Sequence, residues 1–286
     1  MTVREALELV VIDYEMKGQN TVPLRAQRAH LEAGLGADTP LTKVDTPALY
    51  AHIRARLAAG AARATVNRET GLLRRAWALA ERSVNGDARA ELVALRPYAP
   101  RLREDNARQG FVEPDEIAKI CSHMPEAYAD AVRFAAETGW RRGEVLTLTW
   151  AEVDADAVRL RPERTKARDG RMFPLTPVLR EILTRRHVAR CADAAYVFHL
   201  EGHPLPGFYH HWKRACRLAK LPNFRIHDLR RSAARRLERA GVPRSVMMRL
   251  VGWRTEAMLR RYCIVAEADL KVALDRLSPP KKELEE

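Results

Sequence analysis

The sequence predicts a mainly α-helical protein with a small β-sheet: an all-helical N-terminal domain followed by an α+β domain. Three observations carry that reading. Apolar residues recur at helical spacing up to about residue 82, with no strand signal before residue 95. Period-two alternation appears only later, through Val153, Val158, Leu160, Met172 and Pro174, with a short run at Tyr196. The length, 286 residues, favours two domains over one.

In order, residues 2–17 carry helical spacing at Leu7, Val10, Val11 and Tyr14. Pro23 suits the first turn of a second helix to Leu35, and Thr46-Pro47 opens a third through Leu57 that Gly60 ends. A fourth, long helix over about 62–82 turns Leu72, Leu73, Ala76 and Trp77 toward a core and leaves Asn67, Arg68 and Arg75 on polar faces. From Glu91 the periodicity fails, so 1–95 is read as the helical domain, 96–110 as a linker and 111–286 as the second domain. There, Pro114 starts a helix to about Met124, and others follow over 127–137 and 141–148. The alternating residues predict a short three-stranded sheet, and Glu163 to Leu175 reads as a β-hairpin with Lys166 just before an Ala-Arg-Asp-Gly turn. Helices over about 177–190 and 208–220 lead into the stretch from His227 to Tyr262.

Net charge is +13, the pI is near 10 and 30% of residues are charged. A folded basic chain of this kind points to a polyanionic partner, most often nucleic acid. No apolar run approaches the ~20 residues of a membrane span, and the acids within MTVREALELVVIDYE exclude a signal peptide. Cys121, Cys191, Cys216 and Cys263 lack pair spacing and read as reduced cysteines of a cytoplasmic protein. His199, His203, His210 and His211 invite a metal reading. HLEGH is not H-E-x-x-H, however, and Gly202 and Pro204 argue for a turn, so no metal or cofactor is expected.

The densest stretch is His227 to Tyr262, with ten arginines against three acids and an apolar rhythm through Leu229, Ala233, Leu237, Val246, Leu250 and Leu259. That pattern reads as helices with one buried and one cationic face. His227 and Arg230, three apart, share a helical face, and imidazole beside guanidinium suits a phosphate. Upstream, TGWRRGEVLTLTW delivers Arg141 after a glycine turn, with Glu144 three residues on.

In this order Arg141, Lys166, His227-x-x-Arg230, Gly252-Trp253 and Tyr262 resemble the tyrosine recombinases, or phage-integrase family. That family's pattern is T-G-x-R-x-x-E-L, T-K ahead of Pro-Leu, H-D-L-R, then L-G-H or G-W with a tyrosine nine residues on, the spacing from Trp253 to Tyr262. The resemblance runs from about Val3 to Leu274, and TVNRETGLLRR is similar to the family's core-DNA-binding, SAM-like domain, which gives Asn67, Arg68 and Arg75 as DNA-binding candidates.

It implies cleavage through a 3′-phosphotyrosyl ester and a free 5′-hydroxyl, without metal or ATP, and strand exchange through a Holliday junction by a tetramer on DNA. Tyr262 is then the nucleophile, His227 the general base and Lys166 the general acid. Arg141 and Arg230 clamp the phosphate, Trp253 donates one N–H, and Glu144 orients. Double-stranded recombination sites are the partner, read by helices in the major groove and by DNA deformation. Beyond a second protomer, the resemblance allows an accessory DNA-bending or directionality factor. It further implies that a C-terminal helix at about 266–277, with its stripe of Leu270, Ala273, Leu274 and Leu277, passes between protomers. Two other readings share these residues: a type IB topoisomerase relaxing DNA, and a non-enzymatic DNA-binding relative. Size and the helical domain argue against the first, the full residue set against the second. A phage or mobile-element integrase and a chromosome-dimer resolvase both fit.

Overall fold

The structure is a computed structural model that describes residues 1–104, 111–165, 169–260, 262 and 274. Contacts divide the chain into two units, 1–106 and 107–286.

The regular elements among the described residues of the first unit are helices: α1 (Val3–Met16), α2 (Val22–Leu35), α3 (Thr46–Ala58), α4 (Arg63–Ser83) and α5 (Gly86–Ala94). Thr2 caps α1 reciprocally with Glu5, and Asp45 caps α3 by accepting from Ala48 N at 2.8 Å. The long α4 packs on α1, α2 and α3, joining Val66, Leu73, Ala76 and Trp77 to Val3, Leu7 and Val10. The sequence rhythm misses α5, a single turn-rich helix with one buried residue, Leu92. Trp77 anchors it by donating Nε1–H to Leu92 O at 2.9 Å. Of the stretch expected to link the units, residues 96–104 lie against the first: Arg96 pairs with Glu81, and Leu102 exchanges backbone hydrogen bonds with the Asn67 amide at 2.9 Å.

The second unit is built on α7 (Glu126–Thr138), against which α6 (Pro114–Ser122), α8 (Arg142–Leu146), α9 (Pro177–Val188) and α11 (Leu229–Arg239) pack. The buried face of α7 presents Tyr128, Val132 and Phe134 to this core. A fully buried Asp130 on α7 accepts from Arg185 at 2.9 Å and Arg133 at 3.0 Å, and forms an ion pair with Arg186 at 2.9 Å. Glu126 and Glu181 pair with Arg186 and Arg185.

The sheet differs from expectation. Strand β1 (Ala157–Leu160) pairs antiparallel with β2 (Arg171–Pro174), and Val153 enters only through an isolated bridge to Val158, so two strands replace three. The hairpin's first strand therefore lies upstream of Glu163, and a 3-10 turn at Pro162–Arg164 follows it. The phase on β2 is also shifted: Arg171 and Phe173 are buried, while Met172 is 43% exposed. A one-residue change of phase exchanges the faces of a strand. Near Tyr196, which bridges Thr149, the strands are β3 (His199–Leu200) and β4 (His203–Pro204); between them His199 Nδ1 accepts from Gly202 N at 3.1 Å in a tight turn.

α10 (Phe208–Leu218) precedes α11, α12 (Arg244–Val251) and α13 (Glu256–Arg260). The buried face of α12 is Met247 and Val251, whereas Val246 is 44% exposed. Ala234, Met247, Val251, Trp253 and Leu259 form a separate small core, against which Tyr262 packs. No described helix is long and apolar enough to cross a membrane.

Candidate active site

Two left-handed glycines shape the site. Gly139, at φ +66°, ends α7, and a Cβ there would lie 3.0 Å from both Ala233 Cβ and Val251 Cγ1. The chain turns sharply and delivers Trp140 to the core and Arg141 to the N-terminus of α8. Gly252, at φ +81°, ends α12 in the same way and delivers Trp253.

Arg230 lies beneath these turns. It is 2% exposed, and donates from Nη1 to Gly139 O at 2.8 Å and from Nη2 to Gly252 O at 3.3 Å. Its Cζ sits 4.9 Å from the Trp253 ring centroid and 5.9 Å from that of Tyr262. Burial, reinforced by the charge of Arg141, pushes its pKa down to about 10. A cation held this way is poised for an anion, which restores what desolvation and like charge take away.

His227 occupies a 3-10 turn (Ile226–Asp228) leading into α11, so it and Arg230 belong to adjoining elements rather than one α-helix. Its Nε2 is 2.9 Å from the Tyr262 hydroxyl. Burial, then the Arg230 charge, hold the imidazole below its ordinary value, outweighing nearby Asp228. A neutral imidazole can accept the phenolic proton. The Tyr262 ring lies 5.2 Å from that of Trp253, and Arg231 Cζ stands 5.9 Å from the Tyr262 centroid. Trp253 is 4% exposed, and its buried Nε1 has no hydrogen-bond partner among the described residues. Such a donor calls for an explanation.

Glu144 accepts from Arg141 N at 2.7 Å through Oε2 and from Arg141 Nη1 at 3.0 Å through Oε1, and it also pairs with Arg171. Burial works to raise its carboxyl, yet Arg171 and Arg141 prevail and hold it below the usual carboxylate value.

Arg141, Glu144, His227, Arg230, Trp253 and Tyr262 therefore converge. Lys166 and the expected helix at 266–277, apart from Leu274, lie outside the described residues. At the flanks of Lys166, Thr165 Oγ1 donates to Asp169 O at 2.9 Å, and Asp169 pairs with Arg254, the neighbour of Trp253, at 2.8 Å. In the first unit, Asn67 is engaged with Leu102 and Glu104, and Arg75 pairs with Asp13 at 2.6 Å over the Tyr14 ring; Arg68 is exposed. Sequence reasoning missed Arg171 and Arg231. The signal for Arg171 was its two-residue spacing from Phe173 on a half-buried strand.

The sequence model described as the phage integrase family matches residues 110–268, more than half of the chain. The integrase of Salmonella phage P22 is 27% identical over 175 residues, 56% of this chain and 45% of that protein. The chain thus spans about half the length of this relative. Among solved structures, a lambda integrase (75–356) dimer bound to a COC′ core site superposes with a TM-score of 0.70 at 18% identity, covering 90% of this chain and 97% of that one. A lambda integrase tetramer bound to a Holliday junction gives 0.69 at 18% identity, with 89% and 78% covered. At such identities the superpositions speak for the fold.

Proposed function

Because the chain belongs to the phage integrase family, we propose that it is a site-specific DNA recombinase that breaks and rejoins strands through a covalent bond to Tyr262. The observation that carries this reading is the Tyr262 hydroxyl, 2.9 Å from His227, whose imidazole is held toward its neutral form, and beside the buried Arg230.

A phosphodiester repels nucleophiles, and cleaving it without a metal needs fixed cations where charge gathers on phosphorus. Arg141 and Arg230 supply them, and the unpartnered Trp253 N–H gives a further donor for a phosphate oxygen. A phenol ionises near pH ~10, so Tyr262 passes its proton to His227 Nε2 as its oxygen attacks. The new P–O(Tyr) bond replaces the P–O5′ bond, and the departing 5′ oxygen takes a proton from Lys166 as general acid. The ester conserves the bond energy, so attack by another strand's 5′-hydroxyl reverses the step without ATP. Assembly of four protomers on two duplexes is carried over from the lambda integrase tetramer as part of the same proposal. The exposed Arg68 of the first unit is assigned to DNA contact, and the net charge of +13 makes binding strongly salt-dependent.

The test starts from duplexes selected for binding out of a random-sequence pool, then synthesised with a nick that traps the cleaved state. The wild-type chain should give a covalent protein–DNA band on a denaturing gel. Tyr262→Phe should give none, a loss of about 10⁴-fold or more, with affinity within about twofold. A band from the phenylalanine variant would place the nucleophile elsewhere.

A further inference from the structure

Arg171 opens β2 and is 9% exposed, although no sequence motif points to it. Its guanidinium joins three segments. It pairs with Glu144, and it donates from Nη1 to Val251 O at 3.2 Å. That carbonyl belongs to the last turn of α12 and has no helical partner of its own. The guanidinium also lies over the Trp140 ring, 5.3 Å from its centroid. Against it sits Gly252, where a Cβ would fall 1.7 Å from Arg171 Nη1.

Each partner of Arg171 stands one step from a reacting group. The Glu144 oxygen that Arg171 engages also accepts from Arg141 N, and the other Glu144 oxygen holds the Arg141 guanidinium through Nη1. Val251 precedes Gly252, whose carbonyl accepts from Arg230, and Trp253 follows. We infer that Arg171 is a positioning residue for strand cleavage: one buried guanidinium fixes Arg141, through Glu144, and the turn carrying Trp253, through Val251, at a set distance from each other.

This rests on the recombinase reading of the site. The two loops come from opposite ends of the second unit's sequence, and the hairpin brings Arg171 between them. Arg171 also shares the negative charge of Glu144, leaving Arg141 with a single contact from its guanidinium to that carboxylate and its remaining N–H groups for phosphate. Without Arg171, Glu144 would draw Arg141 onto both of its oxygens.

The experiment uses the full chain and the nicked duplex above, with single-turnover cleavage at saturating DNA. Affinity is measured separately in a Tyr262→Phe background, and folding by urea melts. Arg171→Lys keeps the charge but cannot span Glu144 and Val251 together, so cleavage should slow about 10- to 100-fold while affinity stays within about threefold. Arg171→Met should slow it further, and adding Glu144→Gln should restore at least about fivefold of that loss by releasing Arg141. Lysine at the wild-type rate, or cleavage and affinity falling in parallel with the folded fraction, would overturn the inference alone. A wild-type chain that forms no adduct would overturn the recombinase reading and this inference with it.

Discussion

The second unit contains two clusters of arginine, each around a buried carboxylate, and they differ in charge arithmetic. Around Asp130, three arginines (Arg133, Arg185, Arg186) meet three acids, Asp130 itself with Glu126 and Glu181. That cluster is closed: its cations are spent on the protein. Around Glu144 stand Arg141, Arg171 and Arg230, with Glu144 the one carboxylate that pairs with Arg141 and Arg171 among the described residues, and burial with mutual repulsion depresses Arg230. That cluster is open: its cations exceed its acids, as the proposed phosphate contact requires. A buried arginine is therefore no mark of a site by itself; an excess of buried cations beside a nucleophile is.

The contrast can be broken by substitution. Arg230→Lys keeps the charge but loses the fork that spans Gly139 O and Gly252 O, so single-turnover cleavage should fall about 10²- to 10³-fold. A loss below tenfold would mean that the open cluster works through charge alone. Asp130→Asn should do the reverse. It leaves the buried Arg186 and the half-buried Arg133 and Arg185 without that anion and should cost about 2–4 kcal/mol of stability in urea melts, discounted for the partial exposure of Arg133 and Arg185. Cleavage per folded molecule should be unchanged, and a selective loss of cleavage would join the two clusters functionally.

The smallest effect is in pH. A general base works deprotonated, and a histidine whose pKa is lowered stays deprotonated further into acid. The acid limb of the cleavage rate should therefore have its midpoint below the ordinary histidine value of 6.5, and His227→Ala should remove that limb. A midpoint at or above 6.5 would deny the burial-driven shift its place in the reaction.

The helices of the first unit were legible because α1 to α4 each bury one face at 3.6-residue spacing, as Leu7 and Val10 or Leu73 and Trp77 show. α5 was not, since a nine-residue helix with one buried side chain has no rhythm to read. In the second unit, the short strands misled. With four residues per strand, Met172 and Pro174 alternate as convincingly as Arg171 and Phe173, and only the tertiary pairing of Arg171 with Glu144 decides the phase. The convergence of Arg141 with the stretch from His227 to Tyr262 has no local signal either, because some 85 residues of chain separate Arg141 from His227. It was the family resemblance that linked them.

Gly252 and Arg171 share one volume, which has a consequence for sequence evolution. A side chain at 252 requires both a strained backbone at φ +81° and the removal of the guanidinium 1.7 Å from its first carbon. Homologous chains should consequently show a one-sided covariation. A residue other than glycine at the position of Gly252 should occur only with a short side chain at that of Arg171, whereas glycine should tolerate either. That asymmetry gives an alignment a way to find the counterpart of Arg171 where the strand around it has diverged past recognition.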